Sequence, residues 1–123
     1  MPNFNFVLLY VESPPASAAF YADLLGRPAI ETSPTFAMLP LSEGVMLGLW
    51  LRNTVEPAAT AQAGGSEIAF TVEDAAAVTA TFADWKKRGL KIIQQPAQMD
   101  FGHTFTATDP DGHRLRVFAP AAA

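Results

Sequence analysis

The sequence predicts an α+β fold in which two β-α-β-β-β modules form a mixed sheet. Strand, helix and hairpin patterns follow one another in the same order in both halves of the chain. A polar, glycine-rich stretch at residues 53–66 separates the halves. We therefore expect a single domain, with module 1 at about residues 4–52, a linker at 53–66 and module 2 at about 67–119.

The first half begins with residues 5–12 (NFVLLYVE), which are β-branched and aromatic and predict a strand. Residues 17–26 (SAAFYADLLG) carry apolar side chains at helical spacing and end on glycine, which predicts a short helix. Residues 35–41 and 45–51 predict a hairpin around a Ser-Glu-Gly turn. The number of strands in this half stays open.

The second half repeats this order. Residues 67–73 (EIAFTVE) predict a strand, and Asp74 is a favourable N-cap for a helix at 75–88. Residues 90–96 (LKIIQQP) predict another strand. Residues 103–118 predict a hairpin, because D-P-D-G within them is a strong signal for a tight turn.

Composition excludes several classes of function. The net charge of −4, without a cluster of Lys and Arg, argues against nucleic-acid binding. The chain has no cysteine, which removes disulfides, thiolate zinc sites and cysteine nucleophiles. The N-terminus lacks a basic region, and its apolar run is too short to span a bilayer. We expect a cytoplasmic protein with neither a membrane nor a nucleic acid as partner.

The two faces of the predicted strands differ in character. One face is aliphatic or Phe throughout, as expected of a sheet packed under helices. The other face is aromatic, small and charged at once, which suits a half-buried concave surface that lines a cavity. Its members are Phe6, Leu8, Tyr10, Met46, Gly48, Trp50, Glu67, Ala69, Thr71, Arg114, Arg116 and Phe118.

Four stretches together resemble the vicinal oxygen chelate superfamily, which includes glyoxalase I, fosfomycin- and bleomycin-resistance proteins and extradiol dioxygenases. They are V-x-x-P-x-x-S-x-x-F-Y-x-x-L-L-G at 11–26, the connection at 53–66, S-E-I-A-F at 66–70 and D-P-D-G-H-x-x-R-V at 109–117. The resemblance covers essentially the whole chain. It implies two βαβββ modules paired into a cup-shaped mixed sheet, usually in a homodimer.

The resemblance also implies the positions at which metal-dependent members hold a divalent ion. Here these positions fall on Phe6, Gly48, Glu67 and Arg116. A divalent ion needs several nitrogen or oxygen donors converging on it, whereas this set offers one carboxylate beside a cation. We therefore expect no metal and no other cofactor. Both histidines lie elsewhere, before a strand and in a turn, and are expected to be ordinary surface or turn residues.

Since these positions aim at one point in the superfamily, Glu67 and Arg116 are expected to meet there. A carboxylate and a guanidinium can pair in the forked geometry that arginine favours. Two interpretations stay open. The pair is a structural ion pair, or Arg116 also contacts a polar or anionic end of a ligand.

A closer similarity is to the phenazine-antibiotic resistance proteins of this superfamily. It is carried by S-E-I, F-G-x-T-F at 101–105, D-P-D-G-H-x-x-R-V and an aromatic L-x-x-W strand at 47–50. It implies non-enzymatic sequestration of a planar tricyclic antibiotic in an aromatic pocket at the dimer interface. Trp50 would stack on the ligand, Gly48 would leave room for a ring, and Phe101 would form a mobile rim. Trp50 could instead serve ordinary packing at a dimer interface, and Trp85 is expected in the core.

The predicted function is binding of a small planar aromatic antibiotic, with resistance as the result. One alternative is a metal-independent or atypical enzyme of the lyase, isomerase or dioxygenase kind, with Glu67 or Tyr10 as acid or base. Another is a protein whose cup serves only dimerisation or partner binding. The expected partners are the aromatic molecule and a second copy of the chain, with binding sites at the subunit interface. The predicted ligand-binding residues are Phe6, Tyr10, Met46, Gly48, Trp50, Glu67, Phe101 and Arg116.

Overall fold

The computed structural model describes residues 1–121, and the chain divides into two compact units. The first unit, Met1–Ala61, contains β1 (Phe6–Val11), α1 (Pro14–Leu25), β2 (Glu31–Thr32), β3 (Phe36–Ser42), β4 (Val45–Leu51) and a short 3-10 helix (Arg52–Thr54). The second unit begins at Gln62 and contains β5 (Glu67–Thr71), α2 (Ala75–Lys87), β6 (Lys91–Met99), β7 (Gly102–Thr108) and β8 (Arg114–Pro120).

Each unit is built on one four-stranded mixed sheet. The strand order is β1-β4-β3-β2 in the first unit and β5-β8-β7-β6 in the second. In both, the first strand runs parallel to the last, and the remaining neighbours are antiparallel. The predicted α+β fold of repeated β-α-β-β-β modules is confirmed. That the two units together make up a single domain stays a prediction.

Both helices begin at a side-chain cap. The Asp74 carboxylate accepts a hydrogen bond from the Ala77 backbone N–H at 2.8 Å, as predicted. Helix α1 begins three residues earlier than the sequence pattern indicated, because Ser13 is its N-cap and accepts from the Ala16 N–H at 3.3 Å. Prolines 14 and 15 fit the first turn, where a missing N–H breaks no intrahelical hydrogen bond.

The strands depart from the prediction at two places. The open strand count of the first half is resolved by β2, a two-residue strand paired with β3. Strand β6 extends to Met99, and its pairing with β7 shifts register between Ile92 and Gln94 and again between Gln94 and Ala97. Each shift turns the following side chains to the opposite face of the sheet.

One face of each sheet packs against the helix of its own unit. In the first unit, Tyr21 of α1 and the strand residues Leu39, Leu47 and Leu49 have no solvent exposure. In the second unit, Trp85 of α2 is 7% exposed. Its indole meets the Phe70 and Phe105 rings edge-on, at centroid distances of 5.8 and 5.4 Å. The expectation that Trp85 belongs to the core is confirmed.

Among residues 1–121, neither helix has both the length and the apolar character needed to span a membrane.

Trp85→Ala is expected to lower the free energy of unfolding by about 3–5 kcal/mol, because it leaves a cavity between two aromatic rings. Urea unfolding followed by circular dichroism measures this change. The matched control is Ile30→Ala, which removes an apolar side chain that is 62% exposed and should change stability little. Equal losses in the two variants would contradict the placement of Trp85 in the core.

Candidate functional site

The second face of each sheet, turned away from the helix of its unit, is called here the distal face. On the first sheet, the strand register places three cross-strand rows on this face. Nearly all of their side chains are apolar or aromatic. The rows are Phe6–Met46–Pro40, Leu8–Gly48–Met38 and Tyr10–Trp50–Phe36.

The distal face of the first sheet is an aromatic surface that water reaches in part. Tyr10 and Trp50 occupy paired positions, and their rings meet edge-on at 6.3 Å between centroids. Phe6 is 37% exposed and Leu8 is 46% exposed. Exposed apolar groups side by side on one sheet mark a surface suited to an apolar ligand or to another protein surface.

Gly48 lies at the centre of this face, and its role differs from the one expected. A side-chain carbon at this position would lie 2.6 Å from Leu8 Cδ2, 2.8 Å from Phe6 Cε1 and 3.0 Å from Phe36 Cζ. The space above Gly48, which we expected to accept a ligand ring, is therefore occupied by side chains of the chain itself. Glycine at this position lets the rings of Phe6 and Phe36 approach the sheet.

The distal face of the second sheet is polar and positively charged. Register again gives three rows, now containing threonines, glutamine and charged side chains. The rows are Glu67–Arg114–Thr108–Lys91, Ala69–Arg116–Thr106–Gln94 and Thr71–Phe118–Thr104–Ala97.

Glu67 and Arg116 form the forked ion pair that the sequence led us to expect. Arg116 Nε donates to Glu67 Oε1 at 2.7 Å, and Arg116 Nη2 donates to Glu67 Oε2 at 2.9 Å. Two parallel charge-assisted hydrogen bonds fix both the distance and the orientation of the two side chains. The pair joins the first strand of this unit to its last strand.

Three further side chains hold Arg116 in place, and none of them is among the site residues predicted from the sequence. Arg116 Nη1 donates to Gln94 Oε1 at 3.0 Å and to Thr104 Oγ1 at 3.2 Å. The Thr106 hydroxyl also donates to Gln94 Oε1, at 3.0 Å. The alternation of H-T-F-T-A-T could have indicated the two threonines. Gln94 could not be assigned in this way, because a register shift in β6 changes its face.

Phe101 borders the ion pair, at the turn between β6 and β7. Its ring centroid lies 5.7 Å from the Arg116 guanidinium carbon, within the range of a cation–π contact. The ring also meets Phe118 edge-on at 5.9 Å. The second distal face therefore has an aromatic end beside the arginine.

These contacts change the acidity of Glu67. The hydrogen bonds from Arg116 hold the pKa of the Glu67 carboxyl below its ordinary value of 4.5, although partial burial opposes this shift. The same contact raises the pKa of Arg116. Glu67 is therefore ionised at neutral pH, and both of its oxygens are already engaged by Arg116.

Comparison with known proteins assigns the family. The model of the Glyoxalase/Bleomycin resistance protein/Dioxygenase superfamily matches residues 3–117. The chain belongs to this superfamily. Over 116 residues it is 29% identical to the phenazine antibiotic resistance protein EhpR of Enterobacter agglomerans, covering 92% of this chain and 88% of that protein.

Solved structures of the superfamily fold agree with this assignment. A protein of Agrobacterium tumefaciens, solved by NMR, is 55% identical, with a TM-score of 0.89 and coverage of 99% of this chain and 100% of that one. A glyoxalase/bleomycin resistance protein/dioxygenase from Nocardioides has a TM-score of 0.83 at 21% identity, covering 100% of this chain and 86% of that one. At that identity the likeness shows the fold alone.

The positions at which the superfamily resemblance implies metal ligands share one geometry in both units. Phe6 pairs with Met46, two residues before Gly48. Glu67 pairs with Arg114, two residues before Arg116. In the first unit, Phe6 and Gly48 offer no side-chain donor atom for a metal. In the second unit, the Glu67 carboxylate already accepts hydrogen bonds from Arg116.

Residues 1–121 contain no group of three His, Asp or Glu side chains placed to hold a metal ion. A divalent ion needs several converging donors, so this set does not fit one.

Glu67→Gln is expected to flatten the dependence of stability on acid pH. Because the folded pKa of Glu67 lies below its unfolded value, the ionised form stabilises the fold above about pH 4.5. This stabilisation is lost as the pH falls through the folded-state pKa. Urea unfolding at a series of pH values should show wild type more stable than the variant at neutral pH, with the two curves converging in acid.

The control for this series is Glu43→Gln, which alters an exposed carboxylate in the turn between β3 and β4. Its curve should run parallel to that of wild type. A Glu67→Gln curve parallel to wild type as well would show that the ion pair contributes nothing to folding.

Proposed function

We propose that this protein binds and sequesters a small planar aromatic antibiotic of the phenazine type in the cytoplasm, and thereby confers resistance without converting the drug. The observation that carries the proposal is the edge-on Tyr10–Trp50 pair on the aromatic distal face of the first sheet. Similarity to a phenazine antibiotic resistance protein supports the same ligand class.

The energetics of such a surface are sufficient for binding. Stacking a ring system on an indole contributes about 0.5–1.5 kcal/mol beyond the area that it buries. Buried apolar area adds about 25 cal/mol per Å². A fused aromatic ligand therefore reaches micromolar affinity, about −8 kcal/mol, without a covalent step.

We propose two kinds of ligand contact. The rings of Phe6, Tyr10 and Trp50, with Met46, offer an apolar surface on the first sheet, and Gly48 lets Phe6 and Leu8 settle against that sheet. On the second sheet, Phe101 offers a partly exposed ring beside the Glu67–Arg116 pair. The proposed contact residues are Phe6, Tyr10, Met46, Trp50, Glu67, Phe101 and Arg116, and Gly48 supports this surface from beneath Phe6 and Leu8.

The geometry does not favour Glu67 as a general acid or base. A general base near neutral pH works best with a pKa close to that pH and a free lone pair aimed at the substrate. Glu67 has a lowered pKa, and both of its oxygens accept hydrogen bonds from Arg116. These contacts hold the carboxylate in a structural pair, which supports binding over catalysis.

We propose that a second copy of the chain covers the distal face of the first sheet in a homodimer, with the ligand at the subunit interface. Phe6 and Leu8 are exposed there, on β1 at the edge of its sheet. Phe4, directly before the strand, is 77% exposed. A contiguous apolar surface of this kind is commonly closed by symmetric association.

Leu8→Glu is expected to convert the dimer to monomer, because it places a charge in the apolar interface. Sedimentation velocity at micromolar concentration measures the oligomeric state. The control is Ile30→Glu, which alters a side chain that is 62% exposed directly before β2, at the opposite edge of the sheet from β1, and should leave the dimer intact. Wild type that sediments only as a monomer would refute the dimer.

Trp50→Ala is expected to weaken phenazine binding about tenfold, because the indole supplies the stacking surface. Isothermal titration calorimetry with unsubstituted phenazine measures the affinity, and circular dichroism checks that the fold is intact. The control is Trp85→Phe, which changes the buried indole of the core and should bind phenazine as wild type does. Mass spectrometry of the ligand after prolonged incubation should show it unchanged, and a converted product would identify an enzyme.

A further inference from the structure

Arg114 is a second arginine on the distal face of the second sheet, and it is held less completely than Arg116. Its Nε lies 3.0 Å from Glu67 Oε2 as an ion-pair contact. The Nε–H is poorly aligned with that oxygen for a hydrogen bond. A buried donor without a well-aligned acceptor is uncommon in folded proteins and leaves Arg114 with capacity for a further partner.

The Glu67–Arg116 pair explains why Arg114 is less completely hydrogen-bonded. Arg116 takes both Glu67 oxygens, at 2.7 and 2.9 Å, and makes two more hydrogen bonds through Nη1. Arg116 therefore uses four of its five N–H donors within the sheet, which leaves it less capacity for a ligand than Arg114 has. Arg114 has the same chemical group two residues earlier on β8, with 36% of its side chain exposed.

The charge of this face favours an anion. Lys91, Arg114 and Arg116 are three cationic side chains in the described rows, against the single carboxylate of Glu67. Two positive charges are thus in excess on this face, although the chain as a whole carries a net charge of −4. Such a local concentration of one sign attracts a ligand of the opposite sign.

The size of the face suits an aromatic ligand that carries an acid group. Arg114 and Phe118 lie four positions apart on β8, a distance of about 13 Å along the strand. At the Phe118 end, the Phe101 ring lies edge-on to Phe118 and beside Arg116. Rings can therefore lie against the phenylalanines while a carboxylate at the other end reaches Arg114.

We propose that Arg114 binds the carboxylate of a planar aromatic acid, and that Arg116 is a positioning residue that holds Glu67 and Gln94. This rests on the proposed function and specifies its ligand class as aromatic carboxylates. It also places anion recognition on Arg114 instead of Arg116, for which the sequence left a structural role and a ligand contact both open. A guanidinium suits this role because its planar donors match a carboxylate in a bidentate pair.

The first test compares two matched probes, phenazine-1-carboxylate and phenazine-1-carboxamide, by isothermal titration calorimetry. Arg114→Gln should weaken carboxylate binding about tenfold and leave carboxamide binding unchanged, since it removes one charge-assisted contact. Arg114→Lys should restore part of the preference for the acid. The control is Arg27→Gln, which removes the same charge from an exposed position after α1 and should change neither affinity. Equal loss for both probes, or no loss, overturns the proposal.

The second test separates this proposal from the proposed function. In NMR spectra of the wild-type arginine Nε–Hε groups, titration with sodium benzoate should shift the Arg114 signal saturably, with the signal assigned from Arg114→Gln. If neither phenazine binds, the proposed function fails and the benzoate titration alone decides the role of Arg114. An Arg114 signal that does not move with benzoate overturns the proposal, even if both phenazines bind.

Discussion

Each unit of this protein has a sheet with two faces and a single helix to cover them. The helix closes one face, where Leu47, Trp85 and Leu115 are buried. The side chains of the distal face are free of that packing requirement, so their composition can differ between the units. On the first sheet they are aromatic and aliphatic, and on the second they are polar and cationic. The division between core and candidate site follows from this one constraint.

The two units use equivalent positions for different chemistry. In each unit, the first residue of the first strand lies near a residue of the last strand that is two positions beyond its register partner. In the first unit Phe6 fills the space above Gly48, an apolar contact. In the second unit Glu67 pairs with Arg116 at 2.7 Å, an ionic contact. The fold accepts both because register fixes only which side chains meet, and the chemistry of the contact depends on the residues that stand there.

Features that depend on the local sequence could be predicted, whereas features that depend on the register with a neighbouring strand could not. Alternation along one strand placed Trp50 and Arg116 on distal faces, and capping chemistry located Asp74. The role of Gly48 was misjudged, because what fills its space comes from β1 and β3. Gln94 was missed, because a shift in pairing between β6 and β7 sets its face. A single sequence shows period and propensity, but it does not show the register between strands.

Glu67, the carboxylate on the distal face of the second sheet, is engaged by Arg116. Glu67 gives both oxygens to Arg116, and Arg116 is held further by Gln94 and Thr104. A carboxylate held ionised in this way is a weak base and a poor proton donor at neutral pH. The groups that we propose for ligand contact, the aromatic rings and the guanidinium of Arg114, can bind a ligand without moving a proton. The network that holds Glu67 thus supports the proposed binding function.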